Sequence, residues 1–383
     1  FGGNQNTTFY PIGGGPATAQ GFSQTRIGNP AAQWEEAHTM NIGFNAMILD
    51  GDLEIDVDYY QNDVRDLLFN PELPGQAGLA SQPFINIGNV ENTGLDMAVT
   101  GRKNINSNFN IRTTLTFTTY QNEIKKIADG VENFDGTSRR FGDPIVRNQV
   151  GSPISSFFGY QIEGFWNSQS EIDAAGAGYQ QDAGVGRFRY ADINGDGQIT
   201  PEDRTILGDP HPDFTYGLDL SMNYRAWDMS AFFYGSQGND IWNQVKWWTD
   251  FYPSFQGAKS TTALYDSWTP DNQDATAPIQ ENSGNFSTNG TPNSYYVEDG
   301  SFLRLRTLQV GYTFAPDLIS RVGLRNLRVY AQAQNLFTLT SYSGPDPEIG
   351  NTQTANASTT SFGVDEGAYP TSRQFLLGVN LAF

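Results

Sequence analysis

Apolar and polar residues alternate one by one along much of this chain. Residues 214–224 keep the phase without a break: Phe214, Tyr216, Leu218, Leu220, Met222 and Tyr224 share one face, and Thr215, Gly217, Asp219, Ser221 and Asn223 the other. A period of two is that of a β-strand, whose successive side chains point to opposite faces. The same pattern predicts strands through Met40, Ile42, Phe44, Ala46 and Ile48, and through Leu53, Ile55, Val57 and Tyr59. The Asp50-Gly51 pair between them is a two-residue hairpin signal. Six further strands centre on Met97, Ile111, Met229, Val310, Val329 and Val379. Leu303 and Leu305 are out of phase with Leu308, which predicts a bulge near Arg306.

A soluble sandwich with an apolar core and a membrane barrel with an apolar exterior both give this alternation. The links between strands favour the barrel. Short links fall at Asp50-Gly51, at 103–107, at Arg225-Ala226 and at 315–324; long ones fall at 66–93, 121–213, 237–301 and 337–372. Short and long alternate strictly, as tight periplasmic turns and large extracellular loops do in outer-membrane barrels. Residues 155–165 also look strand-like, but a spanning strand there would put the Arg225 turn on the wrong side, so they are assigned to the loop. The expected fold is therefore all-β, with nine spanning strands. Single-chain bacterial barrels are closed and even-numbered. An odd count predicts that residues 1–383 are the C-terminal part of a longer barrel, with 373–383 as its closing strand.

Composition narrows the function. The 383 residues include no cysteine and two histidines, so thiol chemistry and a histidine-rich metal centre are excluded. A net charge of −20 argues against binding nucleic acid through its phosphates. No apolar run of 18 residues encodes a transmembrane helix. A mean hydropathy of −0.48 would describe a soluble protein, but nine strands with half their positions facing inward put little of the chain in lipid. The negative value and the charge belong to loops and lumen. No G-x-S-x-G, H-E-x-x-H or G-x-x-x-x-G-K motif occurs, and no enzyme activity is expected.

Three local features carry candidate chemistry. The chain ends on Phe383 after a strand with every second residue apolar, which looks like the signal read by the barrel assembly machinery. Residues 192–203 follow the EF-hand calcium pattern, with Asp192, Asn194, Asp196, the Gln198 carbonyl and Asp203 as oxygen ligands and Gly197 at the sharp turn. Position twelve is Asp rather than Glu, no helices flank the loop, and a polar turn that binds nothing is the alternative. A bound Ca2+ would staple the long loop. The aromatic stretch Trp242, Trp247, Trp248, Phe251, Tyr252 and Phe255 could stack on sugar rings, contact a partner protein, or form the packing core of its own loop.

The chain as a whole resembles the C-terminal part of a SusC/RagA-type TonB-dependent outer-membrane transporter of the Bacteroidetes. The stretches that carry the resemblance include Asn41-Ile42-Gly43-Phe44, Val57-Asp58-Tyr59-Tyr60, Asn86 to Gly94, Val150-Gly151-Ser152-Pro153-Ile154, the Asp192 loop with Gly208-Asp209-Pro210, Trp268-Thr269-Pro270, Phe302-Leu303-Arg304-Leu305, Asn335-Leu336-Phe337 and the terminal Phe383. The resemblance implies a 22-stranded antiparallel transmembrane β-barrel in the outer membrane, with long extracellular loops and an N-terminal plug. It also implies a segment that contacts the TonB complex and a SusD-like surface lipoprotein as lid. Such transporters import oligosaccharides or peptides; an outer-membrane anchor or adhesin presenting long surface loops is the other reading. Acidic loops disfavour anionic cargo but do not separate neutral glycans from peptides.

Overall fold

The computed structural model describes residues 9–11, 18–20, 27–69, 83–86, 88–128, 131–349 and 361–383. Nine strands form one antiparallel sheet: β1 Glu36–Ile48, β2 Leu53–Arg65, β3 Gly88–Asn106, β4 Phe109–Ile127, β5 Phe214–Tyr224, β6 Trp227–Gln237, β7 Phe302–Thr313, β8 Asn326–Thr340 and β9 Gln374–Ala382. Each strand lies beside its chain neighbour, so the sheet is a simple meander from β1 to β9. No helix among the described residues is long and apolar enough to cross a membrane.

Register explains why the alternation is so clean. Met222, Met229, Val310, Ala331 and Leu377 sit side by side across five strands, one row below Leu220, Ala231, Leu308, Ala333 and Phe375. These rows form one continuous apolar face. The opposite face carries rows such as Asn110, Asn223, Asp228, Gly311 and Tyr330. There Arg328 pairs with Asp228 at 2.5 Å directly above Gly311, where an added side chain would strike both groups. Aromatic rings mark both edges of the apolar band. Phe109, Tyr224, Trp227, Tyr312 and Phe314 lie at the short-turn end, with Trp227 and Tyr312 ring centroids 4.9 Å apart. Phe117, Phe214 and Tyr216 lie at the other end. Tyr216 and Tyr224 are eight residues apart on β5. That is about 27 Å of strand, or about 20 Å across a bilayer at the usual tilt of about 40°.

Several boundaries differ from expectation. The first hairpin turns through Leu49, Asp50 and Gly51, all with positive φ, rather than through Asp50-Gly51 alone. The second short turn is Ser107 and Asn108, because β3 runs on to Asn106. β3 and β4 are 19 residues long, so 88–93 and 121–127 belong to strands instead of links. Beyond the membrane band polar residues fall on both faces of these two strands and apolar ones are isolated, which breaks the alternation that would reveal them. Their tops bury Val90, Ile124 and Ile127 against Ile154 of the following link. The bulge near Arg306 is present: Leu305 and Thr307 pair with both neighbouring strands and Arg306 is skipped. The 66–93 and 337–372 links lie partly outside the described residues.

Candidate functional site

The three links that follow β4, β6 and β8 are not separate loops. They fold together into one head with its own aromatic core, to which the first contributes Phe157 and Tyr190, the second Trp242, Phe251 and Tyr296, and the third Val364. Asp240–Asn243 pairs antiparallel with Val297–Asp299 and parallel with Val364–Asp365, so the third link completes a sheet begun by the second. The first link adds a four-stranded sheet built from Asn133–Asp135, Val146–Gln149, Ser156–Tyr160 and Arg204–Gly208. The strand-like 155–165 segment thus belongs to the head and stays outside the nine-stranded wall.

Two of the six aromatic candidates, Trp242 and Phe251, lie within this core, and Trp247 packs against it. Trp242 is 0 % exposed, stacked on Tyr296 with ring centroids 5.4 Å apart, and Phe251 is buried against Tyr295 and Tyr296. These two hold the head together and are not contact surface. Trp247 and Trp248 are half-buried, edge to face at 4.7 Å, with Arg140 over the Trp248 ring. Tyr252 and Phe255 are exposed, at 42 % and 50 %. Beneath Trp248, Lys259 donates to the Trp248 and Phe251 carbonyls, and burial pulls its ammonium below the usual lysine range.

The Asp192 loop closes as a tight turn. Asp192 accepts hydrogen bonds from the backbone N–H groups of Gly195, Asp196 and Gly197, and Asp196 from that of Gln198. Gly195 and Gly197 have φ of +74° and +84°, which an L side chain rarely adopts. Asp203 is fully buried behind the turn, with Oδ1 accepting from Ile193 and Asn194 and Oδ2 from Thr200. The oxygen donors follow one another in calcium-loop order. Among the described residues, however, no three His, Asp or Glu side chains already converge on one point. Phe383 follows β9 on the apolar side of the wall, 78 % exposed beside Leu381.

A buried ion cluster fastens the head to the polar face of the wall, and motif reading missed it. Arg304 of β7, 2 % exposed, donates to Asp346 at 2.5 Å, Glu348 at 2.8 Å, Thr338 at 2.9 Å and Thr371 at 3.1 Å. Arg306, turned inward by the bulge, pairs with Glu348 as well. Burial pushes Asp346 upward, but hydrogen bonds from Thr371, Glu348 and Arg304 outweigh it and hold the carboxyl below the usual range. The phase break at Leu305 was the available signal. Near β6, Asp240 is pushed up to about 6 by burial, partly offset by the Asp209 N–H.

A second contact crosses from head to wall at His211. Its Nδ1 lies 3.1 Å from the Tyr120 hydroxyl and its Nε2 2.9 Å from the Ile154 carbonyl, while burial lowers its pKa. Below it the polar face opens into a cleft of about 490 Å³ lined by Asn41, Tyr60, Asn62, Asn92, Asp96 and Tyr120. The charge sits mostly in the links: residues 128–213 hold 14 Asp and Glu against six Lys and Arg, and residues 238–301 eight against two.

A family model described as the β-barrel of TonB-dependent receptor-like proteins matches residues 2–236. TonB-dependent receptor P3 of Formosa agariphila is 33% identical over 374 residues, which cover 96% of this chain and 36% of that protein. TonB-dependent receptor SusC of Bacteroides thetaiotaomicron is 27% identical over 388 residues, 99% of this chain and 35% of that one. The chain thus spans little more than a third of the length of these relatives. Among solved structures, the RagAB peptide transporter superposes with a TM-score of 0.76 at 24% identity, over 100% of this chain and 38% of that chain, a likeness of fold.

Proposed function

The chain belongs to the TonB-dependent receptor β-barrel family, of the SusC/RagA type, in the outer membrane of a Bacteroidetes bacterium; from this premise we propose that it forms part of the wall and the extracellular head of an active importer. The observation that carries the reading is the division of one sheet into an apolar outer face and a polar inner face, with a folded head at one rim only. The inner face lines a lumen, the short turns face the periplasm, and the head stands outside the cell. A complete barrel of 22 strands closes around a plug, cargo is an oligosaccharide or a peptide, and a SusD-like lipoprotein covers the mouth. Energy comes through TonB.

The test is purification of the tagged full-length protein from outer membranes in detergent, followed by uptake assays in intact cells. A co-purifying surface lipoprotein and an uptake abolished by collapsing the proton gradient are the expected results. An empty barrel without a lid, in cells whose adhesion drops when the gene is deleted, would instead make it an anchor.

Calcium is proposed for the Asp192 loop. Asp192, Asn194, Asp196 and the Gln198 carbonyl supply hard oxygen donors of the kind calcium takes, and Asp203 would have to give up a backbone hydrogen bond to join them. When bound, the ion neutralises part of the acidic loop and staples the first link. Calorimetric titration of chelator-treated protein should show uptake that Asp196→Ala removes; no heat in either protein refutes the site.

A further inference from the structure

Resting on the import reading, we propose that the inner-face cleft between Tyr60 and Tyr120 is a subsite for the uncharged, hydroxyl-rich part of a glycan. Register places Asn41, Tyr60, Gly94 and Tyr120 in one row across β1 to β4. Neighbouring strands are about 4.8 Å apart, so the two tyrosines stand two strands, about 10 Å, from each other. Gly94 between them has no side chain, and the end of the Tyr60 ring lies over it: a Cβ there would come within 2.5 Å of Cζ and Oη. The result is a shallow floor formed by the Tyr60 ring over Gly94, with Tyr120 on its far side. Apolar C–H faces of a sugar ring pack on such rings, while its hydroxyls pair with amides.

The surrounding side chains select the ligand class. Asn41, Asn62 and Asn92 put amides around the floor, and no lysine or arginine lines the cleft. Among the described residues neither the Tyr60 hydroxyl nor the Asn41 amide has a hydrogen-bond partner, so both are available. Sulfate, phosphate or uronate groups would meet Asp96 and the nearby Asp58 with nothing to offset them. Asp96 accepts from Thr118 at 2.7 Å through one oxygen and stands opposite Asp58, so acceptor sites remain for sugar hydroxyls to donate to. Peptides are commonly held by strand addition to free backbone groups, but β2 to β4 use theirs on one another. His211 fixes the Tyr120 hydroxyl from above, so the head sets one wall of the subsite.

The experiment uses the full-length transporter with its lipoprotein partner in detergent. It is offered a panel of neutral malto-, xylo-, manno- and galacto-oligosaccharides, sulfated and uronic oligosaccharides, and uncharged decapeptides; captured ligand is read by mass spectrometry. The expected result is capture of a neutral oligosaccharide that falls at least about tenfold in Tyr60→Ala and in Asn41→Ala and persists in Tyr60→Phe. Heat-dependent gel mobility confirms that each variant barrel is folded. Capture of only peptides or anionic glycans, or neutral capture insensitive to Tyr60→Ala, overturns the subsite while leaving import intact. Unchanged capture with new leakage of vancomycin through Tyr60→Ala cells assigns the cleft to seating the plug, and also overturns it. Loss of the import reading itself shows separately, as absence of the lipoprotein and of gradient-dependent uptake.

Discussion

Leu377, in β9, leaves 88 % of its surface uncovered, whereas Trp242, in the second link, leaves none. Both are large apolar side chains in the same chain, and the difference lies in what surrounds them. In the wall, apolar residues sit on an outer face with no second protein layer, and lipid supplies the apolar medium. Cohesion there comes from the backbone ladders that join each strand to its neighbours, since hydrocarbon offers no partner to an N–H or C=O. The head faces water and must bury its own apolar surface, so it gathers aromatic rings from three distant links into a packed core. The wall is held together by its backbone and the head by its side chains.

That contrast can be broken most directly at Trp242. Trp242→Ala removes the ring stacked on Tyr296 and should cost the head about 3–5 kcal/mol. Limited proteolysis should then cut residues 238–301 while the barrel keeps its heat-dependent gel mobility; loss of both would mean that head and wall are one cooperative unit. Arg304→Ala tests the fastening between them. It strands Asp346 without its buried partner, at about 3 kcal/mol or more, and should expose the third link to protease before the core opens. Leu220→Arg addresses the wall alone. A charge in mid-band facing lipid costs about 2–4 kcal/mol, read as slower barrel assembly with a normal head.

The smallest effect concerns pH. Burial raises Asp240 to about 6, with Asp209, Asp299 and Asp213 opposing its ionisation. The folded state therefore holds this proton more tightly than the unfolded chain. Stability from this group is present at acid pH and is lost as pH rises through roughly 4 to 6. Because the group is partly open to solvent, about 1 kcal/mol is the expected size. Asp240→Asn should flatten the pH dependence of head melting between pH 4.5 and 7.5 and leave the wall untouched.

The same contrast decides what could be read from residues alone. All nine wall strands were legible because each has lipid on one side and polar surroundings on the other, and that asymmetry writes a period of two into the sequence. The bulge at Arg306 was legible for the same reason, as a break in that period. The tops of β3 and β4 were not, since Thr119, Gln121 and Glu123 are polar whichever way they point. The head was illegible as a unit. Its strands are two to five residues long and pair across separate links, so Trp242 and Val364 share no local pattern. Trp242 could not be told from a contact residue, because burial by a distant partner leaves no mark on neighbouring positions.

The pairing of Trp242 with Val364 also dictates a timetable. The backbone N–H of Thr137 reaches Ser361 across 224 positions, and the sheet of the second link waits for Val364 and Asp365. Contacts of such sequence separation form slowly, because the loop between them must first close. During export Trp242 and Asn243 therefore lack their parallel partner strand until residues 364 and 365 have arrived. The third link leads straight into β9, so sealing the head and adding that strand to the wall fall together late in biogenesis.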